Sequence, residues 1–193
     1  SVKVDNTTRP NIILIVTDDQ RYDTMQHLPL INARLAPQSA KFTNSFVSTP
    51  ICCPSRATAL TGVYSHNHGV LSNDPPYGAP AFRDQSTVST WLESTGYKTG
   101  FYVKYLNGYG TLSPYIPPGW NEWHAFGIDD DDLFYWYTVN DNGVHTTYGN
   151  QPQDYYENVF TPKLVNFINT TPVNKPLFLV FTPPAPHAPA IPA

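Results

Sequence analysis

Residues 12–16 are uniformly apolar and are followed by Thr17, Asp18, Asp19 and Gln20. An unbroken apolar run this short, rich in Ile and Val, predicts a strand buried on both faces, the type found in parallel sheets covered by helices. Residues 28–36 predict a short helix. In 40–48, Phe42, Asn44 and Phe46 alternate with Thr43, Ser45 and Val47, and this period of two predicts a second strand. Pro54 suits the first turn of a helix that Gly62 stops. Residues 86–96 predict another helix, ended by Gly96, and 97–106 a strand. Asp141-Asn142-Gly143 lies between two aromatic or β-branched runs, the signal of a hairpin. A helix over 154–169 has Val165, Phe167 and Ile168 on an apolar face, and 175–193 opens as a buried strand and ends as a proline-rich loop. The order is βαβα with an inserted hairpin, which predicts an α/β sandwich.

Composition narrows the possibilities. A chain of 193 residues with 40% hydrophobic positions suits one folded domain. Only 13% of residues are charged, with a net charge of -4, and 20 are proline, so a loop-rich polar surface is expected. No basic block points to nucleic acid, and no apolar run reaches the length of a membrane span. Residues 1–11 contain no apolar signal core. Asn6 and Asn169 head Asn-X-Thr tripeptides, glycan acceptors only in a eukaryotic secretory pathway. The run of four aspartates at 129–132 could bind a cation but reads better as a solvated loop before the hairpin. The chain stops at Pro192-Ala193 with no closing helix or strand, so 1–193 is expected to be the N-terminal portion of a longer domain.

In an open α/β sheet, chemistry gathers at the carboxyl ends of the strands. Asp18 and Asp19 end the first strand. Two carboxylates there can hold a hard divalent cation or serve as an acidic turn or helix cap, and Gln20 can add a ligand or a hydrogen bond. Adjacent side chains on a regular strand point apart, so joint use of the pair needs a bend after Asp18. Lys104, among aromatic residues, is a candidate anion contact or proton donor, and His187 follows the last strand. His66 and His68 line a cleft, ligate a metal or decorate a surface loop. The two cysteines, Cys52 and Cys53, are adjacent. They read as a strained vicinal disulfide, a buried pair, or a nucleophile at a helix N-terminus with Arg56 one turn away; a zinc site lacks a second Cys pair.

Cys52-Cys53-Pro54-Ser55-Arg56, continued by Leu60-Thr61-Gly62, resembles the type I sulfatase signature C-x-P-S-R-x-x-x-L-T-G at every defined position. The segments around Asp18, Lys104 and His187 resemble the family's strand with metal-binding aspartates and its lysine and histidine segments, in the same order. The match extends over nearly the whole chain and is closest in pattern to the N-acetylglucosamine-6-sulfatase and heparan 6-O-endosulfatase branch.

The resemblance implies an alkaline-phosphatase-like three-layer α/β/α sandwich with a mostly parallel sheet. It also implies a sulfuric ester hydrolase acting on a sulfated sugar or an aryl sulfate. Cys52 would be converted to formylglycine by a formylglycine-generating enzyme. Its hydrate would attack sulfur with one hydroxyl and expel sulfate with the help of the other. Asp18, Asp19 and the modified Cys52 would hold calcium, or magnesium in its place. Arg56 would contact the formylglycine, Lys104 would bind sulfate, and His187 would bind sulfate or protonate the leaving alcohol. A secreted, periplasmic or lysosomal setting follows from the same resemblance.

Two departures stand out. Leu106 replaces a histidine that many sulfatases carry, a mark of the branch. The family's second pair of metal ligands and second active-site lysine come from a later strand; Asp141-Asn142 is a formal substitute, but its hairpin setting argues for a turn. A phosphate or phosphonate monoester hydrolase on the same scaffold and an inactive glycan-binding fragment are the alternatives.

Overall fold

The computed structural model describes residues 9–127 and 133–193; the four aspartates at 129–132 and the tripeptide at Asn6 lie outside them. Among the described residues, strands form at β1 (Ile12–Ile15), β2 (Lys98–Val103), β3 (Glu122–Phe126), β4 (Thr138–Asp141), β5 (Val144–Thr147) and β6 (Leu177–Thr182). They make one sheet in the order β1-β6-β2-β3-β4-β5. The first four strands in that order are parallel; β4 and β5 add an antiparallel hairpin at the far edge. Asn142 and Gly143 turn that hairpin with φ of 53° and 91°, the left-handed backbone that a tight two-residue turn demands.

Among the described residues, four α-helices pack around the sheet: α1 (Cys52–Thr61), α2 (Ser65–His68), α3 (Val88–Ser94) and α4 (Tyr156–Thr170). Successive strand residues point to opposite faces, and β6 shows the result. Phe178 and Val180 pack with Ala57 and Leu60 of α1, whereas Leu177 and Leu179 pack with Phe160, Leu164 and Phe167 of α4. This is the expected three-layer α/β/α sandwich with a mostly parallel sheet. On the α1 side, Phe101 stacks on Trp123 with ring centroids 4.6 Å apart, and Tyr105 meets Trp123 edge-on at 5.1 Å. Burying each such ring contributes about 1.5–3 kcal/mol. Tyr105 and Tyr109 are both buried, so this cluster anchors the turn that leaves β2.

Three expectations need correction. Residues 40–48 form no strand, and Phe42 and Phe46 are 81% and 90% exposed; an alternating pattern makes a strand only where a neighbour offers a ladder. β1 is not buried on both faces. Ile12 and Leu14 pack on the core, but Ile13 and Ile15, which alternation turns to the opposite face, are exposed. Finally, β3 was not anticipated, since Glu122 and His124 break its apolar pattern. The segment at 28–36 is helical but irregular, with a π turn over Ile31–Leu35 and a 3-10 turn over Ala36–Gln38.

The charges on β3 are accommodated by a network on the α4 side of the sheet. His124 Nδ1 lies 2.5 Å from Asp141 Oδ1, and Lys163 Nζ donates to Asp141 Oδ2 at 2.6 Å. Glu122 takes Lys98 at 2.8 Å and the Tyr102 hydroxyl at 3.1 Å. Burial holds the His124 imidazole below its usual value against the pull of Asp141. Burial pushes the Asp141 and Glu122 carboxyls up, but Lys163 with His124, and Lys98 with Tyr102, outweigh it and leave both low. All three groups bind protons less readily folded than unfolded, so each contributes stability at neutral pH that acid removes. The urea midpoint should therefore fall as pH drops from about 7 towards 4. His124→Gln should flatten the first part of that fall, just below the ordinary imidazole value of 6.5. An unaltered profile in the variant would show that His124 carries none of it.

Candidate active site

The carboxyl ends of the parallel strands bring the separated candidates together. β1 ends at Ile15, and Asp19 has φ 55°. This left-handed residue is the bend that adjacent carboxylates require. It places Asp18 4% exposed, while Asp19 stays exposed. α1 begins at Cys52 itself, with Ile51 as its cap and Gly62 as its left-handed stop at φ 72°. Cys52 reaches the sheet edge on a helix N-terminus rather than on a strand end. Val103, the last residue of β2, has φ 89°, a costly conformation for a β-branched residue. It turns the chain so that Lys104 enters the site. The Thr182 hydroxyl lies 2.6 Å from the Lys104 carbonyl, and Arg56 Nη1 donates to the same carbonyl at 2.8 Å. The kink is thus held from both β6 and α1.

Asp18 is the hub. Its Oδ2 accepts from Lys104 Nζ, its Oδ1 lies 3.4 Å from Arg56 Nη2, and the Cys52 thiol points at Oδ1 from 3.5 Å. Lys104 Nζ also lies 3.9 Å from Cys52 Sγ. Burial raises the Asp18 carboxyl, but Arg56 and Lys104 outweigh it and hold it below the usual carboxylate range. The Cys52 thiol moves the other way. Burial pushes it up and outweighs the relief from Lys104 and Arg56, part of which Asp18 cancels. A thiol that holds its proton at neutral pH is a poor nucleophile.

His187 sits in the loop after β6, which is tied to the β1 end by the Asp18 N–H donating to the Ala185 carbonyl at 3.4 Å. Its Nδ1 pairs with the Ala188 carbonyl at 2.6 Å, leaving Nε2 3.6 Å from Asp19 Oδ2. One potential ligand atom from each of Asp18, Cys52 and His187 falls within 4.8 Å of the others. Asp18, Asp19, Gln20, Cys52 and Arg56 line a cavity of about 210 Å³.

The donor chemistry fits a hard divalent cation. Asp18 and Asp19 offer carboxylate oxygens at one strand end, and the partners of Asp18 leave acceptor positions on it, since a carboxylate has about four lone-pair sites. Two carboxylates balance Lys104 and Arg56, so a dication would leave the pocket positive toward an anionic ester.

Other candidates fall elsewhere. His68 is buried, accepting the Val70 N–H on Nδ1 at 3.1 Å and pairing with the Thr58 hydroxyl through Nε2 at 3.1 Å, so it fixes α2 to α1. His66 stacks on Tyr64. Gln20 is the exception: it lines the cavity beside Asp18, with its amide donating to the Thr24 hydroxyl. Asp141 belongs to the hairpin and the His124 network, apart from Asp18. Cys53 does more than fill space. Its N–H donates to Asn73 Oδ1 at 2.8 Å, and its sulfur accepts the Asn107 N–H at 3.0 Å. Neither asparagine nor Thr182 was singled out from the sequence; the one available signal was Asn107-Gly108 three residues after Lys104.

Comparison with known proteins identifies the family. The Sulfatase family model matches residues 10–193. The extracellular sulfatase SULF-1 homolog of Drosophila melanogaster is 37% identical over 190 residues, covering 94% of this chain and 17% of that protein. Human N-acetylglucosamine-6-sulfatase is 33% identical over 196 residues, covering 95% of this chain and 35% of that protein. The solved structure of BT4656 in complex with its substrate D-glucosamine-2-N,6-O-disulfate superposes with a TM-score of 0.79 at 27% identity, over 96% of this chain and 36% of that one. This chain thus spans about a third or less of these three relatives. With the family model matching residues 10–193, the chain belongs to the sulfatase family.

Proposed function

We propose that this chain is the nucleophile-bearing part of a sulfatase that hydrolyses sulfate esters of a carbohydrate, with a glucosamine-6-sulfate-like unit as the substrate. The observation that carries this reading is the Asp18–Cys52–Arg56–Lys104 cluster, in which the Cys52 thiol lies within reach of Asp18 and Lys104 and keeps its proton. Such a thiol is ill suited to attack, which favours conversion of Cys52 to formylglycine. In this reading Sγ marks the position of the aldehyde carbon's oxygen. Hydrated, residue 52 has two hydroxyls: one bonds to sulfur as the sugar alcohol leaves, and the other loses its proton so that the carbonyl reforms and sulfate departs.

Lys104 and Arg56 oppose the negative charge that develops on the sulfuryl oxygens. His187, through Nε2, would give a proton to the departing alkoxide. Asp18 and Asp19 would hold calcium, or magnesium in its place, which when bound supplies positive charge and orientation. A secreted or lysosomal setting and a formylglycine-generating enzyme as maturation partner belong to the same reading. No described helix is long and apolar enough to cross a membrane.

The test is the intact mass of the Cys52 peptide from the native host, together with turnover of an aryl sulfate and the matching aryl phosphate. Conversion lowers the mass by about 18 Da, a covalent change to be measured directly, and the sulfate ester should be the faster substrate. Faster phosphate turnover would favour a phosphate monoester hydrolase. An unmodified thiol in active protein would overturn the formylglycine step.

A further inference from the structure

Beside the Cys52 site, the turn at 73–80 and the turn at 107–111 enclose a cleft of about 350 Å³ lined by Asn73, Asp74, Tyr77, Pro80, Asn107 and Thr111, among others. Nothing in the chemistry above uses it. It begins one residue from Cys52, because Asn73 and Asn107 are the two residues that grip Cys53. The cleft is also preformed. Gly78 has φ +77°, and a Cβ there would lie 2.4 Å from the Asn107 carbonyl oxygen; the Ala79 N–H donates to that same oxygen at 2.8 Å. Gly108, at φ +80°, brings its backbone against Pro80. The two turns are thus joined backbone to backbone, and only glycine permits the join.

The lining chemistry points to one kind of occupant. Carboxamides and a hydroxyl both donate and accept, as the vicinal hydroxyls of a pyranose require. The Tyr77 ring and the prolines offer flat apolar surface for the carbon face of a sugar ring. The lining contains no lysine or arginine, so a second sulfate or a uronate would find no counter-charge, and the exposed Asp74 carboxylate would repel it. We propose that this cleft binds an uncharged pyranose ring of the glycan chain that carries the ester. The proposal rests on the sulfatase reading of the Cys52 site.

The test compares kcat/KM for a 6-O-sulfated N-acetylglucosamine oligosaccharide with that for a small aryl sulfate. Tyr77→Ala should reduce the ratio of the two about tenfold, the loss appearing in KM for the oligosaccharide. An unchanged ratio would overturn the cleft. Asp74→Asn, at an exposed position, spares the fold; it should erode several-fold the preference for an uncharged over a uronate-bearing neighbour ring, and an unchanged preference counts against the proposal.

If the full protein that carries this chain cleaves neither ester, the sulfatase reading fails and binding still decides the cleft. An uncharged N-acetylglucosamine oligosaccharide should shift the amide resonances of Asn73, Tyr77 and Asn107, and less so in Tyr77→Ala. No shift, or shifts at a different surface, would dispose of it.

Discussion

Cys52→Ala protein, expressed in a host that modifies the wild-type chain, should lose at least about four orders of magnitude of sulfatase kcat, the scale set by removing a covalent nucleophile from other hydrolases. Cys52 is half-buried at the start of α1, and alanine keeps that helix start, so the folded state should survive. Circular dichroism and urea midpoints close to wild type would confirm that the loss is chemical. Cys52→Ser separates two parts of the mechanism. A serine can accept the sulfuryl group once but has no second hydroxyl with which to expel it. Such a variant should release at most one equivalent of alcohol and then stop, with the protein carrying a sulfate adduct visible by mass. Sustained turnover by either variant would remove Cys52 from the mechanism.

Asp18→Ala should cost stability as well as activity. The Asp18 side chain is 5% exposed, and those of Arg56 and Lys104 are 7% and 11% exposed. Taking away the shared anion leaves two cations buried without their partner, a change that typically costs about 3–5 kcal/mol. Asp18→Asn should cost less, because the carboxamide oxygen still accepts from Lys104 or Arg56. Calcium supplies a second reading of the same residue. A ligand that binds only the folded state stabilises it by about 2.7 kcal/mol at a hundred times its Kd. The wild-type urea midpoint should therefore rise with calcium, and that of Asp18→Asn should not. A variant that still responds to calcium would place the ion away from Asp18.

Much of the fold was legible because it is local. The apolar run before Asp18, the glycine stop at Gly62 and the Asp141-Asn142-Gly143 turn each act within a few residues, and each forms where its pattern predicts. Failures share a cause. The Phe42–Phe46 alternation matches a strand in period, but a strand exists only with a partner, and partners are chosen by the rest of the chain. β3 is the converse: Glu122 and His124 disguise it, and it is stable because Lys98, Asp141 and Lys163 arrive from three other elements to pair them.

For the site, the amino-acid sequence by itself determined the reactive groups and their local frames. Cys52 heads a helix because Pro54 and Gly62 bound one, and Asp18 ends an apolar run. What only the tertiary structure decided is how those groups act on one another. The Asp18 carboxyl is held low by Arg56 and Lys104, which lie far from it in the chain, the Cys52 thiol is held high by the burial that folding imposes, and Val103 keeps its strained backbone because Thr182 and Arg56 hold the next carbonyl. Coulomb interactions and burial depend on distance through space, which no spacing along the chain encodes.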